Sequence, residues 1–374
     1  MNCYQSNLTL DAAARLLNQC RRAVVVTHAK PDGDAFGSVV AITLALRQRG
    51  VQVEARFVPP VPANLASLGG ASVTSLFEPQ RDPQLLARFD PDLVVVLDTG
   101  AWVQIGPLRS VLEPWTDRML ILDHHLSGDI PARHRYIEGT AAACCEVVAH
   151  VLDEMQAATK PGDPPEQSTR RPDYFSNRDV AAALFVGIAS DTGWFRFSNT
   201  RPQTHELAAR LIRAGVDHAA LYQSLEQTDR PEKLALLTRA MNSLRLEAGG
   251  RIAVMVLRAS DFLQSGALLE ETERIVDIPQ TVAQVQMVIL ITQTPPSDEG
   301  ADARPGPIRV SFRSKPSVHP GAGAVNVAEL AQQFGGGGHA RAAGAKLNAS
   351  LEEAVERVTQ AAILAMAAPS ATAV

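Results

Sequence analysis

The chain has 374 residues, 46% apolar and 20% charged, which is more than one ordinary globular unit holds and apolar enough to bury a core. Two domains are expected, and disorder is excluded for most of the chain. The formal net charge of -5, from 35 basic and 40 acidic residues, argues against a grip on long duplex nucleic acid, which takes clustered Lys and Arg; short anionic ligands stay open. The longest apolar run, residues 180–189, is about half of the ~20 residues that span a bilayer. The start MNCYQSNLTLDAAARLL has no basic stretch leading into an apolar one, so no membrane partner is expected. Cys3 and Cys20 stand alone and Cys144 adjoins Cys145, which is neither a disulfide framework nor a CxxC knuckle and fits a reducing cytoplasm.

From the N-terminus, short β-branched runs alternate with helical stretches, the pattern of a parallel sheet with crossover helices. Strands are predicted at 23–27 (AVVVT), 51–58, 93–97 (LVVVL) and 119–122 (MLIL), all apolar on both faces. Residues 35–49 read as a helix, capped by Asp34 and ended by Gly50. The Pro-rich, charged stretch 157–177 reads as a solvated insertion. Helical runs follow at 179–189, 203–215 and 218–241. The first domain is therefore placed at 1–215 and a helical connector at 216–245. A smaller domain at 246–374 carries strands in RIAVMVL, VQMVILI and IRVSFRS, an acidic Pro/Gly loop at 294–307 and a glycine run at 335–338. The fold class is α/β in both domains.

Several strands end in metal-ligand residue types, and in an open parallel sheet ligands bind beyond the carboxyl ends of the strands. The first strand leads to His28 and, after the Lys30-Pro31 turn, to Asp32 and Asp34. The third leads to Asp98 in LDTG, and the fourth to Asp123, His124 and His125. Asp191, in SDTGWF, closes the helical run after the insertion. Carboxylates a few ångströms apart cannot all stay ionised unless cations neutralise them. Imidazole and carboxylate oxygen without thiolate suit manganese, with magnesium as the weaker alternative. Two ions about 3.5 to 4 Å apart would lower the pKa of a bridging water and clamp a phosphoryl oxygen for in-line attack, so hydrolysis of a phosphoester is expected.

In the second domain Arg309, Ser311 and Arg313 alternate with Ile308, Val310 and Phe312, so one strand face is apolar and the other shows two guanidiniums and a hydroxyl. The glycine run frees the backbone to aim N–H groups at an anion, with His339 beside it. Trp194, Phe195 and Phe197 are read as core in preference to a base-stacking platform, and Cys144 and Cys145 as small buried hydrophobes.

The segments HAKPDGDAFGS, VVLDTG, LDHH and SDTGWF, in that order, resemble the motifs of the DHH phosphoesterase superfamily. FRSK followed by GGGGHARAAG resembles its DHH-associated C-terminal domain. The arrangement is most similar to the bacterial nano-RNases, which also dephosphorylate adenosine bisphosphate (pAp) and cleave linear or cyclic dinucleotides. The resemblance implies a manganese pair in a cleft between a catalytic and a substrate-capturing domain. His28 and Asp32 would hold the first ion, Asp34, His124 and Asp191 the second, and Asp98 would bridge them. Asp123 would lie just outside and orient an imidazole; His125 would contact the scissile phosphate or protonate the leaving oxygen. Arg313, Ser314 and the loop of Gly336, Gly337, Gly338 and His339 would clamp the far end of a short substrate.

The activity implied is hydrolysis of short oligoribonucleotides to 5'-mononucleotides together with removal of the 3'-phosphate of pAp; cyclic or linear di-AMP is the alternative substrate. A non-catalytic nucleotide sensor is the alternative of another class, opposed by the filled ligand positions from His28 to Asp191. A long-strand exonuclease would call for a further OB-fold domain, and an inorganic pyrophosphatase for a different C-terminal domain. A homodimer is implied by the family.

Overall fold

The computed structural model describes residues 4–69, 71–157, 173–296, 306–315 and 325–367. The chain divides into two units, Met1–Thr228 and Asp229–Val374.

The first unit contains, in order, α1 (Leu10–Gln19), β1 (Arg22–Val26), α2 (Gly33–Gln48), β2 (Gln52–Phe57), β3 (Ser75–Leu76), α3 (Asp82–Phe89), β4 (Leu93–Leu97), β5 (Met119–Asp123), β6 (His134–Ile137), α4 (Cys144–Ala157), α5 (Arg178–Asp191), α6 (Pro202–Arg213) and α7 (His218–Glu226). The sheet order is β3-β2-β1-β4-β5-β6, and every pairing is parallel. Alternate residues explain why these strands read as unbroken apolar runs. Ala23, Val25, Val95, Leu97, Leu120 and Leu122 pack on one face beneath α1, α2, α4 and α5, while Val24, Val26, Val94, Val96 and Ile121 pack on the other with Trp102, Leu108 and Leu112. The strand order reverses between β1 and β4, and the crevice beyond that switch point is where such sheets place their ligands.

The edge strand β6 does not stand open. Asn7 N donates to Arg135 O (2.9 Å), Ser6 Oγ to Ile137 O (2.9 Å) and Ile137 N to Ser6 Oγ (2.7 Å), so the N-terminal segment covers the ladder as a strap.

Two local expectations are corrected. Asp32, and not Asp34, is the N-cap of α2: its Oδ1 accepts from Asp34 N (3.1 Å) and Ala35 N (3.0 Å), which leaves Asp34 within the first turn. Gly50, at φ +81°, ends the helix as expected. Residues 158–172 of the expected insertion lie outside the described residues. Its far end is not solvated, because Tyr174 and Phe175 are buried against the helices behind a turn capped by Asp173.

The helical run expected at 218–241 is two helices, α7 in the first unit and α8 (Pro231–Asn242) in the second. Pro231 lacks the N–H that a helix interior needs and fits only a first turn. The stretch 216–245 is thereby shared between the units. The second unit continues with β7 (Arg245–Glu247), β8 (Ile252–Leu257), α9 (Ala259–Ser265), β9 (Met287–Gln293), β10 (Ile308–Ser314), α10 (Val327–Gln332), β11 (Gly337–His339), β12 (Ala342–Leu347) and α11 (Leu351–Ala367). Its sheet order is β11-β12-β10-β9-β8-β7, antiparallel except between β8 and β9. Val254, Ile289, Val310 and Phe312 pack beneath α10 and α11, and Met255, Val288 and Leu290 against α8 and α9. Among the described residues no helix is long and apolar enough to cross a membrane.

Candidate metal centre

Strand register brings the ligand-type residues together. Val26 lies opposite Val96, so two residues on His28 meets Asp98; Leu97 lies opposite Leu122, so one residue on Asp98 meets Asp123. His28 Nε2 is 3.6 Å from Asp98 Oδ2 and 3.9 Å from Asp32 Oδ1. On the other side of the same carboxylate, His124 Nε2 is 3.4 Å from Asp98 Oδ1, 3.4 Å from Asp191 Oδ2 and 3.9 Å from Asp34 Oδ2. His28, Asp32 and Asp98 thus form one group able to hold a cation and Asp34, His124 and Asp191 another, the ligand atoms of each within 4.8 Å of one another. Asp98, His124 and His125 form a third such group.

Each side chain is held by its own element. Asp34, fully buried, accepts from Cys144 N (2.6 Å) and Cys145 N (2.8 Å), the first N–H groups of α4, where unpaired donors and the helix dipole favour an anion. Cys144 and Cys145 are buried as expected, and their backbone anchors this carboxylate besides. The helices bearing Asp34 and Asp191 cross closely because Gly37 and Gly187 lack side chains: a Cβ at Gly37 would fall 2.2 Å from Ala183 O, and one at Gly187 2.6 Å from Asp34 Oδ1. His28 Nδ1 lies 3.0 Å from Ala29 O and His124 Nδ1 3.3 Å from Ala141 O. A proton on each Nδ1 satisfies those carbonyls and leaves Nε2 as a lone pair turned to the carboxylates. Asp98 holds its place with φ +59°.

Three supports went unnoticed in the sequence. Tyr4 Oη donates to Asp123 Oδ2 (2.9 Å), while Asp123 Oδ1 accepts from His125 Nδ1 (2.8 Å), His124 N (2.8 Å) and His125 N (3.1 Å). Glu146, fully buried, accepts from Arg201 Nη2 (2.6 Å), Thr204 Oγ1 (3.1 Å) and Ala142 N (3.0 Å). Asn199 Nδ2 ties Ala142 O (3.0 Å) to Asp191 O (3.1 Å). The Asn199 link had a faint signal in its nearness to SDTGWF; the others join residues far apart in sequence and had none.

The electrostatics demand a counter-charge. Burial raises the pKa of Asp34, and the charges of Asp98 and Asp191 raise it further. Burial, Asp98 and Asp32 push Asp191 to about 7. Asp98 goes the other way: burial would raise it, and the facing imidazoles of His124 and His28 hold it below the usual range. Against burial, the nearby Asp98 carboxylate lifts His28 to about 9 and His124 to about 10. Asp98 Oδ1 and His124 Nε2 are buried with no hydrogen-bond partner, even though they face each other. Buried orphans of this kind call for an explanation, and an oxygen-and-imidazole set closing on a shared point fits a divalent cation.

The second unit places the residues of the expected clamp as follows. Ser314 is buried and its hydroxyl donates to Val325 O (2.8 Å) and lies 3.3 Å from Ala340 O, so it pins backbone. The glycine run is not an open loop: Gly335 (φ +70°) ends α10, a Cβ at Gly336 would fall 2.2 Å from Gly344 O, and Gly337–His339 is the edge strand β11. Gly337, Gly338 and His339 remain exposed on that edge. Arg313 Nε sits 3.2 Å from Asp277 Oδ1, while Arg309 is exposed. Trp194 and Phe195 pack against Phe185, Tyr222 and His205 as expected; Phe197 is exposed, against expectation, with its ring beside the bare backbone of Gly193.

A parallel sheet ending in His28, Asp98 and the Asp123-His124-His125 run is matched over residues 22–188 by the DHH family, N-terminal domain, and residues 249–367 match the DHHA1 domain. The chain belongs to the DHH family and is a hydrolase acting on phosphoester bonds. It is 27% identical over 354 residues to the bifunctional oligoribonuclease and PAP phosphatase NrnA of Thermus thermophilus, covering 93% of this chain and 92% of that one. It is 23% identical over 321 residues to the protein of the same name in Bacillus subtilis, covering 86% and 87%. An exopolyphosphatase-related protein of Bacteroides fragilis has the same fold, with TM-score 0.76 at 22% identity over 94% of both chains.

Proposed function

We propose that the protein hydrolyses short oligoribonucleotides to 5'-mononucleotides and removes the 3'-phosphate of pAp, with two divalent cations, manganese before magnesium. The observation that carries this reading is Asp98, whose two oxygens face two separate ligand groups, His28 with Asp32 and His124 with Asp34 and Asp191. The names of the relatives in Thermus thermophilus and Bacillus subtilis support the choice of substrates.

When bound, the cations supply a water of lowered pKa and polarise the phosphoryl oxygen. The remaining work falls to the chain. Asp98 spans both groups and fixes their separation. Asp123 accepts a hydrogen bond from Nδ1–H of His125, which leaves Nε2 as the exposed nitrogen of a half-exposed ring. The bond to Asp123 raises the pKa of His125 in spite of burial, which keeps a proton ready for the leaving oxygen. In the second unit Arg313, Gly337, Gly338 and His339 offer a guanidinium, backbone N–H groups and an imidazole to a terminal phosphate or base.

The test is turnover of pAp, pApA, cyclic di-AMP and a 5-mer RNA by purified protein with manganese, alongside Asp98→Ala. Turnover of pAp and the 5-mer, lost by at least about a thousandfold in the variant, is expected. No turnover, or an unaffected variant, defeats the two-cation reading.

A further inference from the structure

Asp123 is fully buried, and both of its oxygens are engaged. Oδ1 takes the three N–H donors of His124 and His125; Oδ2 takes the Tyr4 hydroxyl, from a residue 119 positions away in the strap along β6. The phenol lies in a slot that two glycines leave for it. A Cβ at Gly100 would fall 1.8 Å from Tyr4 Oη, and one at Gly128 would fall 2.4 Å from a ring carbon of Tyr4. The loops after β4 and β5 therefore omit side chains where the tyrosine rests. Burial and the charge of Asp123 both keep the phenol protonated, so it donates.

We infer that Tyr4 is a positioning residue of the reaction: its hydroxyl locks the rotation of the Asp123 carboxylate and, through it, the direction of the His125 ring. The inference rests on the role given above to His125. Turning the carboxylate about Cβ–Cγ breaks the Tyr4 bond at Oδ2 as well as the three at Oδ1, so the hydroxyl narrows the torsional range that the Oδ1 bonds alone would leave. Among the described residues the bond to Asp123 is the one hydrogen bond of the His125 ring, so that freedom passes directly to Nε2.

Tyr4→Phe keeps the ring in its slot and removes the hydroxyl. With pAp and manganese, kcat should fall about tenfold while KM changes less than about twofold, because alignment for proton transfer is lost and binding is not. In metal-free protein labelled with 15N-histidine, the His125 Nδ1–H resonance should lose its protection from exchange. Gly128→Ala, which displaces the ring and keeps the hydroxyl, should reproduce the kcat loss. Unchanged kcat with an unchanged resonance overturns the inference, as does a rise in KM alone. If the wild-type protein turns over nothing, the phosphoesterase reading fails, and the resonance still decides whether Tyr4 holds His125.

Discussion

Gly187→Ala tests whether the metal centre depends on how closely α5 packs against its neighbours. A Cβ at this position would lie 2.2 Å from Cys145 Sγ and 2.6 Å from both Cys145 Cβ and Asp34 Oδ1, where ordinary contact begins at 3.4 Å. About 1 Å of separation is needed, and the Asp34 carboxylate cannot swing away, because Cys145 N and Cys144 N hold it in place. Overpacking of this kind costs about 1 to 3 kcal/mol, offset by about 1 kcal/mol of helix propensity gained by alanine over glycine. A net loss of up to about 2 kcal/mol corresponds to a melting temperature lower by up to about 8 °C for a unit of this size. Manganese affinity, measured by calorimetric titration, should fall about tenfold or more, since Asp34 takes part of the displacement. Cys145→Ala in the same chain removes the nearest atom and should recover part of both losses, a coupling of about 0.5 kcal/mol or more. If Gly187→Ala melts at or above the wild-type temperature and binds manganese as tightly, the close crossing is not what places Asp34.

Proton linkage supplies a second test. Asp191, raised to about 7, favours the folded state of the metal-free protein below pH 4, and this contribution is lost as pH rises through 7; His28 and His124, raised to about 9 and about 10, lose theirs between pH 6.5 and 10. Chelator-treated protein should therefore melt at falling temperatures across that range, and the rise in melting temperature on adding manganese should be larger at pH 8 than at pH 6. An equal rise at both would contradict the carboxylate cluster as the binding site. Glu146→Ala leaves the Arg201 guanidinium beside a buried gap and should cost about 3 to 5 kcal/mol in urea unfolding, whereas Glu146→Gln, which keeps an acceptor, should cost less than half of that.

Much of the first unit was legible because its information is local. An apolar run such as LVVVL announces a strand buried on both faces, and the residue just past it, Asp98, lies at the end of that strand whatever the rest of the chain does. Parallel register then aligned His28, Asp98 and Asp123 without further instruction. The features that escaped depend on partners far along the chain. Nothing near Tyr4 points to Asp123, and nothing near Glu146 to Arg201. The β6 sequence HRYI is half-buried along its length, so it carries neither an apolar run nor an alternation. Glycines misled for a related reason. The run 335–338 reads as a free anion loop by composition, yet Gly336 is small because Gly344 O lies against it, a contact that exists only once the hairpin has formed. Ser314 likewise spends its hydroxyl on carbonyls at 325 and 340.

The strap of residues 4–7 also sets an order of events during synthesis. It leaves the ribosome well before its partners Asp123, Arg133, Arg135 and Ile137, which follow 119 to 131 residues later. Contacts of such long sequence separation close late, because the loop entropy must be met before they form. Until then β6 presents an open edge, a template for mispairing with another nascent chain. Sealing that edge and setting Tyr4 against Asp123 are one event, so the same step that ends the risk of aggregation completes the support of His125.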